Sequence, residues 1–154
     1  MGRALFYHLT QAALEPTVAT LCSRALGAGW RVAIRGREAE RLEKLDLALW
    51  TDSPASFLPH GLAGGAHDAD QPILLTLQTH AANHPQAVMA IDQAAISPAE
   101  VAGLERLWLL FEASEPAAMD HARAQWRAMV AAGVTAEYWS DANGRWQKKF
   151  ETGV

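Results

Sequence analysis

Arg123, Trp126 and Arg127 stand three and four residues apart, so on a helix the three side chains share one face. Two guanidiniums beside an indole suit an acidic peptide with an apolar end: the arginines take carboxylates and the ring adds apolar contact. A second placement stays open, in which Trp126 turns into the core with Met119 and Met129 while the arginines only face water. Trp50, Phe57, Leu58, Pro59, His60 and Gly61 form another unusual group, with two large aromatics, a proline and a histidine in a stretch that reads as a loop after a helix. Loops run over the outside of a domain, so Trp50 and Phe57 either fold back over the core or face outward to anchor another protein. His60 reads first as a hydrogen-bonded pin for this loop. The competing reading is a small α/β enzyme with its site at the His60 loop, which requires a polar concave pocket and a histidine of shifted pKa.

Catalytic and metal motifs are thin elsewhere. The segment Leu9 to Leu14 contains no glycine, so its backbone lacks the close approach to a pyrophosphate that a Gly-x-Gly-x-x-Gly turn allows. Walker-type Gly-Lys-Ser/Thr and Gly-x-Ser-x-Gly are both missing, and Cys22 lies in an apolar helical pattern with no base nearby in sequence. His80 and His84 are four apart, but Asn83 and Pro85 favour a turn over a helix there. His67, Asp68 and Asp70 read as a solvated loop rather than a metal site. No cofactor and no metal are expected. Tyr138, Trp139, Arg145, Trp146, Lys148 and Lys149 mix rings with cations, which suits either base stacking on single-stranded nucleic acid or an edge hairpin defended by lysines.

The balance of charge argues against nucleic acid as the main partner. Thirteen Lys and Arg face seventeen Asp and Glu, a formal net charge of -4, whereas phosphate-binding proteins show a basic balance or a strong basic stripe. Little or no direct DNA binding is expected. A chain of 154 residues, half of them apolar, can bury one continuous core and is expected to form a single domain over 1–154. One cysteine allows no internal disulfide, which fits a reducing cytoplasm. The apolar run Ala4 to Leu9 is too short for a signal-peptide core or a membrane span, so no membrane association is expected.

These groups must be positioned by alternating strands and helices. Leu5–Leu9 reads as a strand and Glu15–Leu26 as a helix with Pro16 in its first turn and Gly27 and Gly29 at its end. Trp30–Ile34 reads as a second strand, and Leu42, Leu45 and Leu49 mark a helix over Glu38–Leu49. From Trp50 to Gln71 the prolines and glycines support only a long loop. Strands are expected at Pro72–Leu77, Ala87–Asp92 and Arg106–Phe111, with a short helix over Pro98–Gly103. A long helix from Glu115 or Pro116 to Ala132, ended by Gly133, leads into a closing hairpin made by Val134–Trp139 and Arg145–Phe150. The order implies α/β: a Rossmann-like three-layer sandwich with a mostly parallel mixed sheet and a C-terminal hairpin.

Several short pieces, in order, resemble one family across nearly the whole chain. They are Phe6-Tyr7-His8-Leu9, Gly29-Trp30-Arg31-Val32, Leu45-Asp46 with Leu49-Trp50-Thr51, and Ser56-Phe57-Leu58-Pro59-His60-Gly61. Gln71-Pro72-Ile73-Leu74-Leu75-Thr76, Asn83 and the Arg123-Ala124-Gln125-Trp126-Arg127 helix with its Gly133 complete the set. The pattern resembles the chi subunit of bacterial DNA polymerase III. The resemblance implies a non-catalytic adaptor of the clamp-loader assembly, working in the cytoplasm at the replication fork, with two binding faces. One face takes the acidic C-terminal tail of single-stranded DNA-binding protein, which ends in Asp and Phe. By position it falls on Arg123, Trp126 and Arg127, with contributions from Phe111 or Glu112 and from Val134 to Ala136. The other face takes the psi subunit or a helicase-like partner and falls on Trp50 and Phe57, with Pro59 and His60 shaping the loop. Met129-Val130-Ala131 stand where some members carry further basic residues.

Overall fold

The computed structural model describes residues 2–51 and 58–152. Eight strands form one sheet: β1 (Arg3–Leu9), β2 (Val32–Arg35), β3 (His60–Leu62), β4 (Ile73–Thr76), β5 (Ala87–Ala90), β6 (Arg106–Glu112), β7 (Ala136–Ser140) and β8 (Gln147–Thr152). Their order across the sheet is β3-β4-β2-β5-β6-β1-β7-β8. Every neighbouring pair is parallel except β7 and β8, which form the closing antiparallel hairpin. The four central strands β2, β5, β6 and β1 are apolar on both faces, as expected of parallel strands covered by helices on each side.

Among the described residues four helices do that covering. On one face α1 (Leu14–Gly27) and α2 (Ala39–Thr51) bury Val18, Leu21, Cys22, Leu42, Leu45 and Leu49 against Leu5, Ile34, Met89 and Trp108 of the sheet. The other carries the short α3 (Pro98–Val101) and the long α4 (Pro116–Ala131), whose Ala118, Ala122 and Met129 meet Phe6, Leu107 and Leu109. This is a three-layer, Rossmann-like α/β architecture. Cys22 lies wholly inside it, and burial pushes its thiol up to about 12, so the side chain serves as a small apolar filler.

Two helix ends use the same device. At the end of α1, Gly29 takes a φ of +84° while Trp30 N–H donates to the Ala25 carbonyl and Gly29 N–H to that of Leu26. The α4 end repeats it with Gly133 at +74°, Val134 N–H donating to Met129 and Gly133 N–H to Val130. Each turn drops the chain directly into the next strand.

The long loop expected over Trp50 to Gln71 is only partly a loop. α2 continues through Trp50 to Thr51, so Trp50 is a last-turn helical residue. His60–Leu62 forms the edge strand β3 beside Ile73–Leu75, and Asp68–Asp70 makes one turn of 3-10 helix. Three residues give no detectable period, and β3 exists because β4 supplies its ladder. Asp68 organises the turn after β3, its carboxylate accepting the Gly64 and Gly65 N–H groups at 2.9 and 3.0 Å. Trp30 and Arg31 precede β2 rather than belonging to it, while Arg145 and Trp146 lie in the hairpin turn.

Candidate functional site

A groove of about 520 Å³ opens between α4 and the hairpin. Its floor comes from strand alternation: Phe6 of β1 stands opposite Tyr138 of β7, and Tyr138 stands opposite Phe150 of β8, so three rings line up across the sheet. Trp126 of α4 closes the row from above, with ring centroids 5.2 Å from Phe6 and 6.2 Å from Tyr138, both edge-to-face. Phe111 of β6 joins at the inner end, 6.2 Å from Tyr138. Both placements open for Trp126 in sequence therefore describe part of it: the indole is half-buried against the core and lines the groove as well. Met119 behaves the same way, whereas Met129 is wholly inside.

Arg123 and Arg127 rise on the α4 side of the groove, and both are exposed. Among the described residues Arg123 reaches only Asp120, at 3.5 Å, with both side chains largely in water. An exposed pair at that distance holds little of the guanidinium's charge. His8 and Tyr138 share a hydrogen bond, Nδ1 to Oη 2.6 Å, and His8 stacks on Phe111 at 4.9 Å. Burial lowers the His8 pKa, and Arg123 lowers it further against the opposing pull of Asp141; the imidazole is therefore neutral at neutral pH. Burial likewise raises the Tyr138 phenol, with Arg123 pulling the other way. The floor is thus uncharged; Arg123 and Arg127 make the α4 side of the rim cationic, while Glu151 on the β8 side is paired with Lys148 at 3.1 Å and Arg3 at 3.6 Å, so the groove can hold an apolar group below and anionic groups along α4.

Of the residues assigned to this face in sequence, the fold brings Arg123, Trp126, Arg127 and Phe111 to one groove. Val134 stays outside it: its backbone terminates α4 and its side chain backs the core cluster beneath that helix. Glu112 turns to Arg41 at 3.0 Å, and Ala136 is wholly buried. Phe6, Tyr138, Phe150, Glu151 and Thr152 are among the groove residues that sequence reasoning missed. Alternation along β1 carried a signal for Phe6; nothing local marked Phe150.

At the opposite end of the sheet, Trp50 is 47% exposed on α2, one turn from Leu47 at 63%. Its indole lies 4.2 Å from the His60 ring, centroid to centroid. The His60 side chain has no exposed surface; Nδ1 is 2.6 Å from the Leu58 carbonyl, and Nε2 is 3.1 Å from the Asp46 carbonyl and 3.2 Å from its carboxylate. His60 therefore ties β3 to α2 and shapes the surface without being part of it, as does the half-buried Pro59. Phe57 lies outside the described residues.

This geometry bears on the catalytic reading. A histidine with both ring nitrogens engaged and no exposed surface has nothing to offer a substrate. The crevice beside β1 is also filled: the Asp141 carboxylate accepts the N–H groups of Thr10, Gln11 and Ala12 and the Thr10 hydroxyl, at 2.5 to 3.1 Å. Those are the amides that cradle phosphate where this fold binds nucleotides. Here the chain supplies its own anion. The aromatic and basic C-terminal cluster is split as well, with Tyr138 facing the groove while Trp139 and Trp146 pack on Tyr7 on the other face, at 6.0 and 4.8 Å. Among the described residues no group of three or more His, Cys, Asp or Glu side chains is placed to hold a metal ion, and no helix is long and apolar enough to cross a membrane.

Fold and site together define a Rossmann-like α/β protein whose nucleotide crevice is plugged and whose open feature is an arginine-rimmed aromatic groove. The family model of the DNA polymerase III chi subunit, HolC, matches residues 1–137, and the chain belongs to that family. Its members are accessory subunits of the replicative polymerase, which makes this chain a replisome component. No curated protein matches the chain.

Proposed function

We propose that this chain is a non-catalytic adaptor that holds the polymerase III clamp-loader assembly to coated single-stranded DNA, by taking the acidic C-terminal tail of single-stranded DNA-binding protein into the groove between α4 and β8. The observation that carries the reading is the pairing of Arg123 and Arg127 with an aromatic floor. Tail carboxylates meet the guanidiniums, and the terminal Phe enters over Tyr138 beside Trp126. A peptide held by one ring and a few ion pairs binds on the order of micromolar, and more tightly when a tetrameric partner presents several tails.

The second face is assigned to psi or a helicase-like partner, through Trp50 and Phe57. What supports it is the exposed indole beside the exposed Leu47, braced from beneath by the buried His60. The two faces lie toward opposite edges of the sheet, so both partners can be held at once. The deciding experiment is fluorescence anisotropy of a labelled tail peptide titrated with the protein at low and moderate salt. Saturable, salt-sensitive binding that requires the terminal Phe is the expected result; absence of binding to the intact tail rejects the adaptor reading.

A further inference from the structure

Phe150 is the most exposed large apolar side chain among the described residues, at 65%, and it stands on β8, an edge strand whose residues are mostly in water. Neither fact suggests a role in folding. Its position results from a single irregularity. In the β7–β8 ladder Ser140 faces Gln147 and Trp139 faces Lys148, but Tyr138 faces Phe150, so Lys149 is skipped as a bulge. Directly opposed residues of an antiparallel pair share a face of the sheet. With regular alternation, Lys149 would oppose Tyr138 and Phe150 would point to the α1 and α2 side, away from the groove. The one extra residue turns the ring inward, 6.0 Å from Tyr138 and edge-to-face. Bulges re-aim side chains in this way, and they recur beside functional sites.

We infer that the Lys149 bulge exists to place Phe150 as the outer wall of the groove, where it clamps the terminal aromatic residue of a bound acidic peptide against Trp126 and Tyr138. The inference rests on the tail-binding reading above and goes beyond it, because Phe150 lies past the family match, which ends at residue 137. In the unbound protein the ring rests edge-to-face on Tyr138 with most of its surface in water; on binding, that surface and the peptide ring's are removed from water together. An edge-to-face aromatic contact with that burial corresponds to about a tenfold gain in affinity.

The test uses the full chain and two labelled acidic peptides that differ only in ending with Phe or with Leu. Phe150→Ala is expected to bind the Phe-ended peptide about tenfold more weakly and the Leu-ended peptide less than threefold more weakly. Its melting temperature should match that of the parent, since the ring is mostly in water. Deletion of Lys149 removes the bulge but leaves Phe150 next after Lys148 and so still opposite Tyr138; that variant should bind the Phe-ended peptide within about twofold of the parent, and a folded deletion variant that loses the binding overturns the clamp. Should the deletion unfold the protein, the Phe150→Ala comparison decides. A loss under twofold for the Phe-ended peptide, or an equal loss for both, overturns the clamp while leaving the adaptor reading intact. If the parent protein binds neither peptide, the adaptor reading falls and the clamp falls with it.

Discussion

Reversing the charge at Arg127 tests the tail-binding site without disturbing the fold. Arg127 stands exposed on the groove side of α4, so its replacement by Glu removes no buried contact, and the expected change in unfolding free energy is within about 0.5 kcal/mol. Binding should respond far more. An exposed ion pair contributes up to about 1 kcal/mol, and Glu replaces that attraction with a repulsion of similar size, so the swing is about 2 kcal/mol, or roughly thirtyfold in Kd. Arg123 remains, which is why binding should weaken rather than vanish. The assay is anisotropy of the labelled tail peptide across a salt series, paired with thermal unfolding of both proteins. Because the Debye length shrinks from about 10 Å at 0.1 M salt to about 3 Å at 1 M, the gap between parent and variant should narrow as salt rises. An affinity within twofold of the parent at low salt, with an unchanged melting temperature, refutes the placement of Arg127 in the site.

Three other perturbations probe the scaffold and the second face. Hydrogen bonds from Thr10, Gln11 and Ala12 outweigh the desolvation that would raise the Asp141 carboxyl, so its pKa is lowered on folding; its stabilisation is full above the unfolded value near 4 and is lost as pH falls through the folded one. Asp141→Asn should therefore cost about 2–4 kcal/mol at neutral pH and make acid unfolding shallower below about pH 4, as followed by circular dichroism; an unchanged acid limb counts against the capping role. Arg35 is almost fully buried, paired through both terminal nitrogens with Glu100 at 2.6 and 3.1 Å and bonded to the Ala95 and Thr79 carbonyls. Arg35→Met should lose about 3–5 kcal/mol in denaturant unfolding by stranding those groups, and a loss below about 1 kcal/mol would show that the staple is dispensable. Trp50→Ala should leave tail affinity unchanged while weakening capture of a purified psi or helicase-like partner in a pull-down, and equal loss of both would mean that the two faces are not independent.

Much of this protein is legible in its sequence because the signals are local. Leu42, Leu45 and Leu49 at helical spacing, Gly29 and Gly133 at positions that turn the chain left-handed, and apolar runs at Ile73–Leu75 and Leu107–Phe111 mark helices, ends and buried strands through short-range sterics and burial alone. The three- and four-residue spacing of Arg123, Trp126 and Arg127 fixes a shared helical face in the same way. The lack of a glycine between Leu9 and Leu14 is legible too, and the Thr10 to Ala12 amides there are taken by the Asp141 carboxylate.

Long-range pairing decided the rest. β3 depends on a ladder partner, Ile73–Leu75, that no pattern within His60–Leu62 announces. His60 became a buried tie because Asp46 of α2 meets its Nε2 from another element, while Nδ1 only reaches the neighbouring Leu58 carbonyl. Val134 and Phe150 show the limit most clearly. The family resemblance placed Val134 at this face by position, but a helix-ending turn takes up its backbone and its side chain packs on the core. Phe150 lies 24 residues beyond Trp126 in a strand whose facing depends on one skipped residue. Side chains in strands alternate with a period of two, so a one-residue bulge moves every later side chain to the other face, and only the partner strand determines where that bulge falls.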